Sequence, residues 1–396
     1  MRGGSVARIE STALKYPIYI LAIIFLLLCQ SLSANVRTEI ATNGGYSGNI
    51  LGDSSEIEDS YSSIRGSVNF YPASNVELNG NATYTYYGKF FNLSKLSGGG
   101  GVKYIPTKKS SRFAVLVTAT AALDNYRQSF EAFNNKNYNA GVSIGYKAGD
   151  QLYLRAGAAY NSLLYSNFDG ADKNVTKFFG GVNYTLPGSN SLDIETGIAI
   201  MGYRRFPDSL SNDTSSILLP YDLIDIMTQQ EYTRSLLVKD NLHSFYISPR
   251  ISRPIGPKTG INITYTYRNF SNFTNKIVMG LSTGFLSPWA SAYDGQSISL
   301  NLKSYILKGF TLSAGAGYWD KRFFKSLEGD KFYMIWAKTR KDYQSRYYFS
   351  LQRAFQLTSG VVAEPTVQVD YTHNNSTLTL YKYKSLNISA GITFRI

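Results

Sequence analysis

His243 and His373 are the two imidazoles of a 396-residue chain, and a hydrolytic site built on either would need a serine or paired aspartates at matched height on neighbouring elements. Ser244 follows His243, but neither that pair nor the surroundings of His373 has the pattern of a nucleophile and its base. Both read as surface histidines near strand ends. The glycine run Gly98 to Gly101 precedes no helix signal, so it reads as strand and not as a phosphate cradle. The sequence holds no metal-ligand cluster and no dinucleotide fingerprint. The expectation is a chain that is not an enzyme and uses neither metal nor cofactor.

Charge is the remaining chemistry. Lysine and arginine number 40 against 27 acids, a formal net charge of +13, yet only 17% of residues are charged and 32 are tyrosine. A chain so rich in aromatics and glycine is built for β-structure and not for a helical enzyme core.

The first residues have the layout of a secretory leader. Arg2, Arg8 and Lys15 precede an apolar run from Tyr16 to Leu28, and Ser31, Leu32, Ser33 and Ala34 offer a small-x-small cleavage site. Residues 1–34 are therefore expected to be removed and 35–396 to form the mature protein, with a net charge of about +11. The alternative is an uncleaved anchor, since the run is only a little shorter than the ~20 residues a spanning helix needs. The sole cysteine, Cys29, lies in the leader behind Leu28, which argues against a lipid anchor and leaves the mature part without thiols.

No second apolar stretch is long enough to span as a helix, so a chain retained in a membrane must cross it as strands. Strand side chains alternate between faces, and the lettering alternates with them. Leu386, Ile388, Ala390, Ile392, Phe394 and Ile396 stand against Ser385, Asn387, Ser389, Gly391, Thr393 and Arg395. The same split recurs at Ile261 to Arg268, Ser297 to Ile306, Tyr138 to Lys147 and Val76 to Tyr86. Helical spacing cannot produce it. Roughly sixteen such segments are long enough to cross, within a range of fourteen to eighteen. The fold class expected is an all-β, transmembrane, antiparallel up-and-down barrel.

Tyr146, Tyr160, Tyr184, Tyr203, Tyr267 and Tyr318 fall near segment ends, where amphipathic rings would form girdles. Packing aromatics of a soluble sandwich are the alternative. Short turns, such as Lys147 to Asp150 and Pro187 to Asn190, alternate with longer connections. The longest run from Phe206 to Asp240 and from Asn272 to Tyr293; the stretch from Phe332 to Lys341 could add a hairpin.

At the C-terminus the sequence resembles the bacterial outer-membrane β-barrel proteins, whose last strand carries a polar-x-Gly-x-x-hydrophobic-x-hydrophobic signal. Ser389, Gly391, Phe394 and Ile396 match it, with the aromatic two positions before an end that many members make aromatic. The resemblance implies an outer-membrane location, contact with lipid and lipopolysaccharide, and insertion by the barrel assembly machinery. The strand count and the lack of a plug segment are similar to porins, with no subfamily identified.

Mid-strand cations on the lipid face would cost ~2 to 4 kcal/mol each, so Lys103, Lys147, Arg155, Lys177, Arg250, Arg268, Lys303 and Arg346 are assigned to the lumen. Arg353 is the exception, placed outward near a turn where it can reach headgroups. Inward cations outnumber inward carboxylates such as Glu39, Glu77, Asp193, Glu195, Glu364 and Asp370. A basic lumen favours anions; the competing reading is that these cations are ion-paired. Asp222, Asp225 and Glu231 mark the Phe206 to Asp240 segment as a candidate constriction loop.

The expected function is a porin-like channel for diffusion of small solutes, leaning to anions. The alternative is a non-conducting receptor or adhesin whose long loops bind a partner. No nucleic-acid partner is expected, and oligomerisation is left open.

Overall fold

The computed structural model describes residues 35–50, 52, 55–107, 111–166, 172–203, 242–270, 293–306, 309–323, 340–377 and 379–396. The leader, the longest connections and the ambiguous stretch before Lys341 lie outside them, as do Asp222, Asp225 and Glu231.

The alternating segments are strands: β1 (Val36–Ser47), β2 (Asp59–Ala73), β3 (Val76–Tyr87), β4 (Lys95–Tyr104), β5 (Phe113–Tyr126), β6 (Asn135–Lys147), β7 (Leu152–Tyr165), β8 (Lys173–Leu186), β9 (Asn190–Tyr203), β10 (Leu242–Pro254), β11 (Thr259–Phe270), β12 (Asp294–Tyr305), β13 (Phe310–Arg322), β14 (Lys341–Arg353), β15 (Phe355–Thr358), β16 (Val361–Ser376) and β17 (Tyr383–Arg395). β14 and β15 both pair with β16 and form one stave interrupted at Ala354. Each strand pairs antiparallel with its neighbours in sequence, and β1 pairs with both β2 and β17. The wall is therefore a closed ring of sixteen staves with no free edge. β13 pairs directly with β14, which places no extra stave between them.

Closure is drawn tight at the seam. Glu39 lies opposite Arg395, and the Thr38 and Ile396 backbones exchange hydrogen bonds of 3.1 and 2.9 Å. Both ends of the barrel chain therefore emerge on the side of the short turns. Those turns use residues that tolerate a left-handed backbone: Gly188 and Ser189 bend the chain between β8 and β9 with φ of 72° and 62°.

The two faces have opposite chemistry. Large apolar side chains occupy every second position and stand open, Ile198 with 50% and Ile251 with 55% of their surface accessible. Side chains of the other parity converge across intervening strands: Arg155 of β7 reaches Asp193 of β9, and Tyr348 of β14 reaches Asn301 of β12. Only a concave face brings side chains two staves apart into contact, so the polar parity is the inner wall. A soluble sandwich would bury its apolar parity. Here that parity is the outer surface, as a lipid-facing wall requires.

Tyr160, Tyr184, Tyr267 and Tyr318 stand on the outer face, while the Tyr203 side chain is outside the described residues. Arg353 also faces outward, its guanidinium 4.9 Å from the Phe310 ring and 4.4 Å from Phe355. Arg253 shares that face at the turn-side end of β10, a second outward cation that the sequence reading missed.

Candidate functional site

Polar and charged side chains predominate on the inner wall, and a dense cluster of them lies on β7 to β10. Arg155 donates through Nη1 and Nη2 to the two Asp193 carboxylate oxygens, both at 2.9 Å, and through Nη2 to Glu195 Oε2 at 3.0 Å. Lys177 Nζ donates to Glu195 Oε1 at 3.2 Å, and the Tyr246 hydroxyl donates to the same oxygen at 2.7 Å. Asn183 adds a 3.3 Å bond to Asp193, and Arg250 approaches it at 3.7 Å. Two carboxylates thus hold three cations, and Asp193 is nearly enclosed by them.

Small residues make this convergence possible. A Cβ on Gly197 would come within 2.5 Å of the Phe178 carbonyl and 2.8 Å of the Tyr246 ring. The bare glycine lets that ring lie flat on the wall and carry its hydroxyl to Glu195. Lys177 Nζ then lies 4.7 Å from the Tyr246 ring centre, on its electron-rich face.

The other sequence-assigned cations are spread around the ring. Lys103 stands 3.8 Å from Glu77, Lys147 2.9 Å from Asp150, and Arg346 grips Asp370 through Nε and Nη2. Arg268 lies over the Tyr293 ring and Lys303 over Tyr305. The eight basic residues do not form one cluster. Three gather on β7 to β10, and the rest are separate stations. Six of the eight touch a carboxylate; Lys303, and Arg65, an inward cation of β2 outside that set, have no carboxylate partner among the described residues.

Lys95, paired with Asp124 at 3.0 Å, was missed although it has the same parity as Lys103. The roles of Tyr246 and Asn183 had no sequence signal, because their partners sit on other strands.

Ser389 and Gly391 of β17 face inward and Phe394 and Ile396 outward, with β1 and β16 on either side. A Cβ on Gly391 would come within 2.5 Å of the Thr42 carbonyl.

On the loop side, Ile50 and Ile57 and the connections 88–94 and 127–134 contribute apolar side chains packed beside the inner wall. Phe133 packs with the inward rings Tyr126 and Tyr165, and Phe130 joins that cluster to one holding Ile50 and Leu93. These short connections narrow one side of the mouth. On the turn side, a cavity of about 660 Å³ opens between β10 and β14, lined among others by Ser252, Asn262, Asn301, Lys303 and Tyr348.

No protein-family model and no curated protein sequence matches the chain. Solved structures with a similar course include OccAB1 of Acinetobacter baumannii, with 9% identity and a TM-score of 0.49 over 91% of this chain and 96% of that one. The outer membrane protein opdK from Pseudomonas aeruginosa has 10% identity and a TM-score of 0.49 over 91% and 98%. CdiB from Acinetobacter baumannii has 8% identity and the same TM-score over 91% and 60%.

Proposed function

We propose that the chain is an outer-membrane channel through which small hydrophilic solutes diffuse. The observation that carries this is the closed ring of sixteen staves with an apolar outside and an inner face on which polar and charged side chains predominate. Rings of this size leave room for water once their side chains are placed. Residues 1–34 serve as a cleaved export leader, and Ser389, Gly391, Phe394 and Ile396 as the signal read during assembly.

A lean toward anions belongs to this reading in reduced form. Inward cations outnumber inward carboxylates, but most are neutralised by the pairs described above. Lys303 at the turn-side cavity and Arg65 on β2 are the charges that would act on a passing anion.

The test is single-channel recording in planar bilayers under a salt gradient. The expected result is steady conductance with a small anion-favouring reversal potential that shrinks in Lys303→Gln. Folded protein that passes no current overturns the channel and favours a surface receptor.

A further inference from the structure

Resting on the channel reading, one part of the inner wall is unlike the rest. Register places Asn69 opposite Asn79, Asn79 opposite Gly101, Gly101 opposite Thr120, Thr120 opposite Asn139 and Asn139 opposite Asn161. These residues form a single unbroken row across β2 to β7. It contains four carboxamides, a hydroxyl and a glycine, with no charge and no large hydrocarbon.

The row is oblique to the pore. Asn69 lies near the turn-side end of β2, and Asn161 near the loop-side end of β7. Adjacent staves are ~4.8 Å apart and tilt by roughly 40°, so the row descends about 15 Å of an apolar band about 25 Å tall. It is a path along the channel and not a ring around it.

Its hydrogen-bonding capacity is only partly spent. Asn161 Nδ2 donates to Asn137 Oδ1 at 2.6 Å and to Asn139 Oδ1 at 2.5 Å, with a longer 3.5 Å approach to the Tyr138 carbonyl. Asn139 Nδ2 donates to Asn137 Oδ1 at 3.3 Å. The Asn161 carbonyl oxygen and the Asn137 amide hydrogens have no partner among the described residues, so the triad faces the lumen with acceptor and donors side by side. Gly101 keeps the row open, because a Cβ there would come within 2.7 Å of Thr120 and 3.3 Å of Asn79.

A carboxamide both donates and accepts, as a sugar hydroxyl does. An ion gains more from a charged partner than from a neutral amide; the charges flanking the row, Lys103 and Glu77, lie two residues along β4 and β3 and face each other at 3.8 Å. We propose that the row from Asn69 to Asn161 is a binding track for uncharged polyhydroxylated solutes, the saccharide class.

The experiment is interruption of the open-channel current by maltotriose and by a polyethylene glycol dimethyl ether of equal hydrodynamic size, which accepts hydrogen bonds but cannot donate them. Maltotriose is expected to interrupt the current where the polymer does not. Asn139→Ala with Asn161→Ala should weaken the maltotriose effect about tenfold, and Asn79→Ala, on a separate strand, severalfold. Altered gel mobility after boiling checks that each variant is folded. Equal effects of sugar and polymer, no effect of maltotriose on a conducting wild type, or a response that survives both sets of substitutions overturns the track alone. A wild type that carries no current overturns the channel, and the track with it.

Discussion

Strands β3 to β7 and β7 to β10 share a stave and the same antiparallel pairing, yet their inner faces do different work. On β7 to β10, Arg155, Lys177 and Arg250 are spent on Asp193 and Glu195, and the side chains are locked in mutual bonds. On β3 to β7, Asn79, Thr120, Asn139 and Asn161 keep much of their capacity for a ligand. Charge count alone would call the first arc the functional one. Pairing inverts that order: a cation closed on a carboxylate offers a passing solute less than an amide with a donor to spare.

The largest effect should come from opening the paired arc. Asp193→Ala leaves Arg155 and Arg250 facing each other without their common carboxylate. A loss of about 2 to 3 kcal/mol is expected in urea unfolding from micelles, with a reversal potential moved toward anions. An unchanged midpoint would mean that the cluster is not a stabilising unit.

Gly197→Val should follow, because its added methyls compete with the Tyr246 ring and pull the hydroxyl from Glu195. Overpacking of this kind costs about 1 to 3 kcal/mol. The same unfolding assay on Tyr246→Phe separates lost packing from the lost bond, since that variant keeps the ring and should cost about 1 kcal/mol.

Asn139→Asp sharpens the contrast from the other side by placing one carboxylate in the uncharged row. Stability should change by less than about 1 kcal/mol, since the site faces water, while the reversal potential moves toward cations. A variant as selective as wild type would show that solutes do not pass along this arc.

The smallest effect concerns Asp150, in the turn after β6. The hydrogen bond and charge of Lys147 hold its carboxyl below the usual carboxylate range. A depressed folded-state pKa stabilises above the unfolded value of about 3.9 and ceases to do so as pH falls through the folded value. Wild type should therefore melt slightly above Asp150→Asn at pH 7, and the two should converge in strong acid. A gap that persists there would assign the difference to something other than this pair.

Much of the fold was legible because a membrane wall repeats every two residues. Ile388, Ile263 and Val142 each sit in an alternating segment that is now a stave. The paired lumen was harder. Arg155 and Asp193 can be assigned to one face from parity, but they sit on β7 and β9, and their distance depends on how β8 slides between them. The Asn69 to Asn161 row was invisible for the same reason. Its members are scattered through the sequence and become neighbours only through the registers of five hairpin pairs.

The amino-acid order by itself determined that side chains divide into a lipid face and a water face, since that division is local and follows from the two-residue repeat of an extended chain. Only the closed barrel decided which inward groups meet. Register, tilt and curvature are collective properties of the ring, and they set the distances that leave one arc neutralised and the other open to a ligand.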